Sequence, residues 1–157
     1  GRVLFMEKRN GENITTIAER FIQICSRYNI VGGYVECNGI GQAMYDLIRL
    51  KYRKVQGFFT TQDSKTSLVR TLISDIESMT VELPSKDLNP DLYQEMGLYT
   101  YKLSNNGKLS FSHPVGMKDD LIDSLMLSNK ARHEIRTKKI YIGARPDKVN
   151  VGFGLPK

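Results

Sequence analysis

Residues 30–60, IVGGYVECNGIGQAMYDLIRLKYRKVQGFFT, contain the pattern that decides the fold class. Residues 30–36 are a largely apolar run typical of a strand, and the Asn38-Gly39 pair behind it predicts a tight turn. Apolar side chains at helical spacing predict a helix over about residues 40–52. Residues 55–60 predict a second strand, so this stretch is expected to form a strand–helix–strand unit.

The same alternation continues on both sides of this unit. Upstream, residues 3–6 predict a strand, and Asn13 is expected to cap a helix that ends at Asn29. Downstream, the pattern predicts a helix from residue 63 or 64 to 76, a strand at 80–83, a helix at 87–96, a hairpin at 98–103 and 108–113, and a helix from 117 to 135. We therefore expect an α/β fold: a mixed sheet flanked by helices, with a late hairpin.

Length and charge indicate one domain with a basic end. The chain has 157 residues, of which 40% are hydrophobic and 25% charged, as in soluble globular proteins. The net charge is +6, and residues 136–157 hold six basic side chains against one acidic. We divide the chain into a domain at residues 1–135 and a basic tail at 136–157. The tail suits either phosphate contacts or plain solvation.

Several functional classes are excluded by missing patterns. No apolar run reaches the ~18 residues of a membrane span. Cys25 and Cys37 form no C-x-x-C pair, which favours a reducing compartment over a disulfide framework. A P-loop and a G-x-S-x-G motif are absent, and Gly39-Ile40-Gly41 lacks the third glycine of a dinucleotide fingerprint because position 44 is Met.

The acidic residues are more informative. Glu36 ends a predicted strand, where open α/β sheets place their ligands, and a lone buried carboxylate needs a partner or a cation. Asp119, Asp120 and Asp123 open the last helix and lie in one sector of it. Stabilisation of the helix end by acids is the simpler account of these aspartates alone. Together with Glu36 they favour a site of hard oxygen ligands for Mg²⁺ or Mn²⁺.

Two stretches resemble one protein family. Residues 35–41 (VECNGIG), followed by a helix, and residues 117–125 (MKDDLIDSL) resemble the nuclease domain of tailed-phage terminase large subunits, which has an RNase H-like fold. Residues 65–69 (KTSLV) and 92–96 (LYQEM) also look like the family's order of elements. The resemblance covers roughly residues 2–132 and implies an RNase H-like nuclease domain.

The resemblance implies a function and a site. The function is metal-dependent cleavage of double-stranded DNA during phage genome packaging, with Mg²⁺ or Mn²⁺ as cofactor. Glu36 matches the family's middle carboxylate, and Asp119 and Asp120 match its late catalytic pair. Asp123 is expected to stand behind a metal ligand or to be structural, with direct metal contact as the alternative. The implied partners are double-stranded DNA, the phage portal and the small terminase subunit. The implied location is the cytoplasm of the bacterial host, with no membrane contact.

The chain departs from the family pattern in two ways. Lys118 stands where the family commonly has His before the aspartate pair. The family's first catalytic aspartate lies on a strand before the one that begins here at Val3, and this chain opens at Gly1 without such a strand or the preceding ATPase half. The resemblance therefore implies weak or absent nuclease activity for the chain by itself.

Other readings stay open beside this one. A resolvase- or transposase-type RNase H-like nuclease uses a similar carboxylate set. A non-catalytic DNA- or portal-binding fragment would use its acids only as helix caps, and metal affinity separates it from both nucleases. Candidate phosphate contacts near the expected groove are Lys51, Arg53, Lys54, Lys65 and Lys118, although the first three also suit the C-terminal end of a helix dipole.

Overall fold

The computed structural model of the chain describes residues 1–103, 109–112, 114, 116 and 118–143. The elements in chain order are α1 (Ile14–Arg27), β1 (Gly33–Glu36), α2 (Gly41–Lys51), β2 (Val55–Phe58), α3 (Gln62–Glu77), α4 (Pro90–Leu98), β3 (Thr100–Leu103), β4 (Leu109–Ser112) and α5 (Asp120–Gly143). The predicted α/β fold with a late hairpin is confirmed. The predicted turn at residues 104–107 lies outside the described residues.

The strands run in both directions but form two small sheets in the described part of the chain. β1 and β2 are parallel, with Gly33 opposite Val55 and Glu36 opposite Phe58. β3 and β4 are antiparallel. The parallel pairing places the carboxyl ends of β1 and β2 at the same edge, so Glu36 lies at that edge, where α/β folds commonly place ligands.

Two predicted strands are reduced to one bridge. Residues 3–6 and 80–83 were expected to form strands, but only Arg2 and Glu82 pair, in parallel. The Val3 N–H donates to the Glu82 carbonyl at 3.1 Å, and the Glu82 N–H donates to the Gly1 carbonyl at 2.8 Å. Pro84 has no N–H to extend the ladder, so the pairing stops there.

The expected cap of the first helix is confirmed, and several boundaries differ: α4 begins at Pro90 instead of 87, and α5 begins at Asp120 instead of 117. Asn13 caps α1 by accepting from the Thr16 N–H at 2.9 Å. β1 begins at Gly33 instead of residue 30, because the Ile30 N–H donates to the Cys25 carbonyl and closes α1, while Asn29 takes a positive φ of 47°. α5 continues to Gly143, beyond the predicted end near residue 135. No Gly or Pro interrupts residues 136–142, and such residues are the usual helix stops.

Two apolar clusters hold these elements together. One joins α3, α4 and α5 through Val69, Leu72, Leu92, Leu121, Ile122, Leu125 and Met126. The other joins α1, α2, β1 and β2 through Ala18, Val35, Ile48 and Val55. α5 packs against β1 as well as α3 and α4. The contact with β1 is made by the middle of α5, where Lys130 lies over the Tyr34 ring and Glu134 accepts from the Tyr34 hydroxyl.

A buried polar network also joins α3 to α5. The Asp75 carboxylate is 8% exposed. It accepts hydrogen bonds from Asn129 Nδ2 at 2.7 Å and Thr80 Oγ1 at 2.7 Å. His133 Nε2 lies 2.6 Å and Arg132 Nη2 2.9 Å from Asp75 Oδ2. This network holds the middle of α5, while the apolar cluster holds its beginning. None of the helices in the described part of the chain is long and apolar enough to cross a membrane.

Candidate metal centre

Two aspartates at the start of α5 hold a lysine of α3 between them. Lys65 Nζ lies 2.7 Å from Asp119 Oδ2 and 3.1 Å from Asp123 Oδ2. The Asp123 N–H donates to the Asp119 carbonyl at 2.9 Å, so the two residues are one helical turn apart and face the same side. Their side chains are 16% and 19% exposed. The structure therefore has a partly buried carboxylate pair that already binds a positive charge.

Burial and neighbouring charges shift the pKa values of the groups in this pocket. Burial raises the pKa of Asp123 to about 6; Lys65 opposes this, while the negative charges of Asp119 and Glu36 add to it. Burial acts to lower the pKa of Lys65, but its hydrogen bonds to the aspartates hold that pKa above its usual range. Asp123 Oδ1 is buried with no hydrogen-bond partner in the described part of the chain. Burial and two neighbouring carboxylates thus disfavour the charged form of Asp123, while the Lys65 ammonium favours it.

Glu36 is the last residue of β1, and the turn that follows it is held by specific contacts. Asn38 ties the ends of β1 and β2 together: its Nδ2 donates to the Thr60 carbonyl at 2.8 Å and its Oδ1 accepts from the Thr60 N–H at 2.7 Å. Gly39 has a φ of +56°. A Cβ at position 41 would lie 2.0 Å from the Glu36 carbonyl oxygen, so only glycine lets α2 begin there. These contacts explain the VECNGIG pattern, because its Asn and Gly residues hold the backbone turn that directly follows Glu36.

Asp120 lies on a different side of α5 from its two neighbours. It is exposed, and its charge acts on Lys8, whose pKa is raised first by the hydrogen bond to Glu95 and further by Asp120. Of the three aspartates expected in one sector, Asp119 and Asp123 bind Lys65, and Asp120 is exposed. The catalytic role expected for Asp120 stays a prediction.

The five basic residues predicted to contact phosphate lie in different parts of the fold. Lys51, Arg53 and Lys54 precede β2, whose first residue pairs with Gly33, so they lie at the end of the sheet opposite Glu36. Lys51 lies 4.0 Å from Glu19 of α1. Lys118 Nζ donates to Asn10 Oδ1 at 3.0 Å. Only Lys65 is brought into the acidic pocket, and contact of all five with DNA stays a prediction.

One buried acid near the site was not predicted. Glu95 of α4 accepts from the Leu121 and Ile122 N–H groups, at 2.8 and 3.2 Å, and from Lys8 Nζ at 2.6 Å. The sequence pattern of α4 does indicate this acid. Leu92 lies three residues before Glu95 and Met96 directly follows it, so Glu95 lies on the apolar face of that helix. An acid on an apolar face indicates a buried and partnered carboxylate.

The described residues offer two of the ligands that a divalent cation needs, and not three. Among the described residues, no three His, Cys, Asp or Glu side chains are close enough to share one ion. The Asp119–Asp123 pair fits by itself, because it offers only oxygen atoms, holds a cation already and has an unpartnered buried oxygen. Mg²⁺ is usually held by one or two carboxylates, with water and phosphate oxygens completing the shell. Glu36 adds negative charge nearby rather than a third ligand to the same point.

Comparison with known proteins agrees with this fold. The large terminase nuclease of thermophilic phage G20c, solved with bound magnesium, superposes with a TM-score of 0.62 at 18% identity, over 77% of this chain and 63% of that one. Its structure with bound cobalt gives a TM-score of 0.61 at 20% identity, over 78% and 64%. The chain thus spans less than two thirds of these structures, and the likeness confirms the RNase H-like fold.

Sequence comparison points to the same group. No curated protein matches the chain significantly. The sequence pattern of one family, described as the terminase RNase H-like domain, matches residues 1–130. This covers most of the chain, including Glu36, Lys65 and the aspartates of α5. The chain therefore belongs to the terminase RNase H-like domain family.

Proposed function

We propose that this chain is a metal-dependent endonuclease domain that cleaves double-stranded DNA during phage genome packaging. One observation carries the proposal: Asp119 and Asp123 share the Lys65 ammonium in a partly buried pocket that the charge of Glu36 makes still more negative. Such a pocket attracts a divalent cation and, through it, a phosphate. The magnesium and cobalt present in the related terminase nuclease structures support this cofactor class.

In this proposal, Asp119 and Asp123 hold Mg²⁺ or Mn²⁺, and Glu36 completes the acidic set. When bound, the ion supplies Lewis-acid stabilisation of the phosphate and lowers the pKa of a water molecule. The two aspartates fix the ion on a rigid helix start, and Lys65 provides the ammonium that neutralises them and suits a phosphate contact. Double-stranded DNA as substrate, and the phage portal and small terminase subunit as partners, are proposed from the family's role.

A charge-matched comparison tests the proposal. We expect the 157-residue chain to bind Mn²⁺ by calorimetry and to nick supercoiled plasmid weakly, with EDTA abolishing the nicking. Glu36→Gln should weaken Mn²⁺ binding about tenfold by removing a neighbouring negative charge. Glu19→Gln, an exposed acid of α1, is the control and should leave binding unchanged. Absence of Mn²⁺ binding, or nicking that resists EDTA, would rule the proposal out.

Lys65 gives a second prediction. Lys65→Met removes the ammonium that now binds both Asp119 and Asp123, so Mn²⁺ affinity should rise about tenfold, or ~1.4 kcal/mol. The metal-free protein should melt at a lower temperature, because the carboxylates then repel each other in a partly buried place. Lys51→Met, at an exposed ion pair, should change neither quantity. Calorimetry and thermal melts measure both; weaker Mn²⁺ binding by Lys65→Met would show that Lys65 supports the ion instead of competing with it.

A further inference from the structure

Glu95 is a buried carboxylate whose two oxygens are both occupied. It is 5% exposed. Lys8 Nζ donates to its Oε1 at 2.6 Å, and the Leu121 and Ile122 N–H groups donate to its Oε2. Burial of an ionised carboxylate is unfavourable unless such donors compensate it. Because both oxygens are used, Glu95 is not available as a ligand of the neighbouring acidic pocket.

The two N–H groups that Glu95 accepts are those that a helix cap normally satisfies. The first N–H groups of a helix have no partner within it, and the residue just before the first turn usually accepts from the second or third of them. In α5 that preceding residue is Asp119, and the second and third helical residues are Leu121 and Ile122. Glu95, which belongs to α4, accepts the two hydrogen bonds that a capping side chain at Asp119 would accept.

The Asp119 carboxylate instead faces Lys65, together with Asp123. A carboxylate used as a cap turns back over its own helix, whereas one relieved of capping can align with the residue one turn later. We propose that Glu95 is the positioning residue of the acidic pocket: it caps α5 from α4 and so leaves Asp119 to bind a cation with Asp123. This inference rests on the proposed function, since that cation is the divalent ion.

Lys8 completes this arrangement. Its side chain is 22% exposed and its ammonium is the counter-charge of Glu95. Asp120, whose charge also acts on Lys8, lies on this side of the helix start. The two neighbouring aspartates thus differ: Asp119 binds Lys65, whereas Asp120 is exposed and its charge acts on Lys8.

Three variants of the 157-residue chain test the proposal. Glu95→Ala removes the acceptor; exchange of the Leu121 and Ile122 amide hydrogens should accelerate at least about tenfold, and Mn²⁺ affinity should fall about tenfold, as for other residues that orient metal ligands. Glu95→Gln keeps an oxygen acceptor and should stay within about threefold of the parent in both measurements. Asn89→Ala is the control, because Asn89 caps α4 by accepting from the Leu92 N–H at 3.1 Å. It should destabilise α4 while leaving the α5 amides and Mn²⁺ affinity unchanged.

The outcomes separate this inference from the proposed function. If Glu95→Ala weakens Mn²⁺ binding no more than Asn89→Ala does, Glu95 has only a structural role and the inference is overturned. If Glu95→Gln binds Mn²⁺ far more weakly than the parent while its α5 amides stay protected, capping is not what positions Asp119, and the inference is again overturned. If the parent binds no Mn²⁺, the proposed function fails; unchanged exchange at Leu121 and Ile122 in Glu95→Ala would separately reject the cap.

Discussion

Asp119→Asn and Asp123→Asn should each lower Mn²⁺ affinity by at least about a hundredfold, whereas Asp120→Asn should change it by less than about threefold. The structure places the first two carboxylates on one ammonium, whereas the third is exposed and its charge acts on Lys8. Loss of a residue that merely orients a metal ligand typically costs ten- to a hundredfold in affinity, so loss of a direct ligand should cost at least as much. Asparagine keeps the side-chain shape, removes the charge and replaces one carboxylate oxygen by an NH₂ group.

Calorimetric Mn²⁺ titration and EDTA-sensitive plasmid nicking measure this difference in parallel. Asp120→Asn is the matched control, since it makes the same chemical change next to Asp119 on the same helix start. The resemblance to terminases treats Asp119 and Asp120 as a pair, while the structure pairs Asp119 with Asp123. Severe loss in Asp120→Asn together with near-parental binding by Asp123→Asn would show that the pairing inferred from the resemblance is correct and the geometric one is not.

This contrast shows what local sequence patterns can and cannot predict. The strand end at Glu36, the Asn38-Gly39 turn and the Asn13 cap were predictable, because each depends on residues within a few positions of one another. Helical spacing also placed Asp119, Asp120 and Asp123 near one another. It did not predict which of them share a cation, because that depends on where α3 and α4 pack against the start of α5.

The contacts that define the site join residues far apart in the chain. Lys65 is 54 positions from Asp119, and Glu95 is 26 positions from Leu121. Neither contact has a local signature, although Glu95 on the apolar face of α4 indicates that a partner must exist. A single bridge between Arg2 and Glu82 replaces the two predicted strands. This also depends on tertiary contacts, because the length of a strand is determined by the neighbouring strands available to it as much as by its own apolar run.

The largest effect on stability is expected from Asp75→Ala, which should lower the free energy of unfolding by about 3–5 kcal/mol. The change leaves the donors of Asn129 and Arg132 facing a buried space without their acceptor. It also unties the end of α3 from α5, and with it the helix that carries Asp119. Urea denaturation at neutral pH measures the loss, and Glu77→Ala, an exposed acid near the same helix end, should stay within about 0.5 kcal/mol of the parent.

The stability difference between the parent and Asp75→Ala should depend on pH in a defined direction. Burial acts to raise the pKa of Asp75, but hydrogen bonds led by that of His133 hold its pKa well below the usual range. A carboxyl group with a depressed folded-state pKa stabilises the protein above its unfolded-state pKa of about 4, and this contribution is lost as the pH falls. The difference should therefore be largest above about pH 5 and should shrink as the pH is lowered from there towards 2. A difference that grows on acidification would mean that Asp75 is protonated in the folded protein, and its four donors would then need another acceptor.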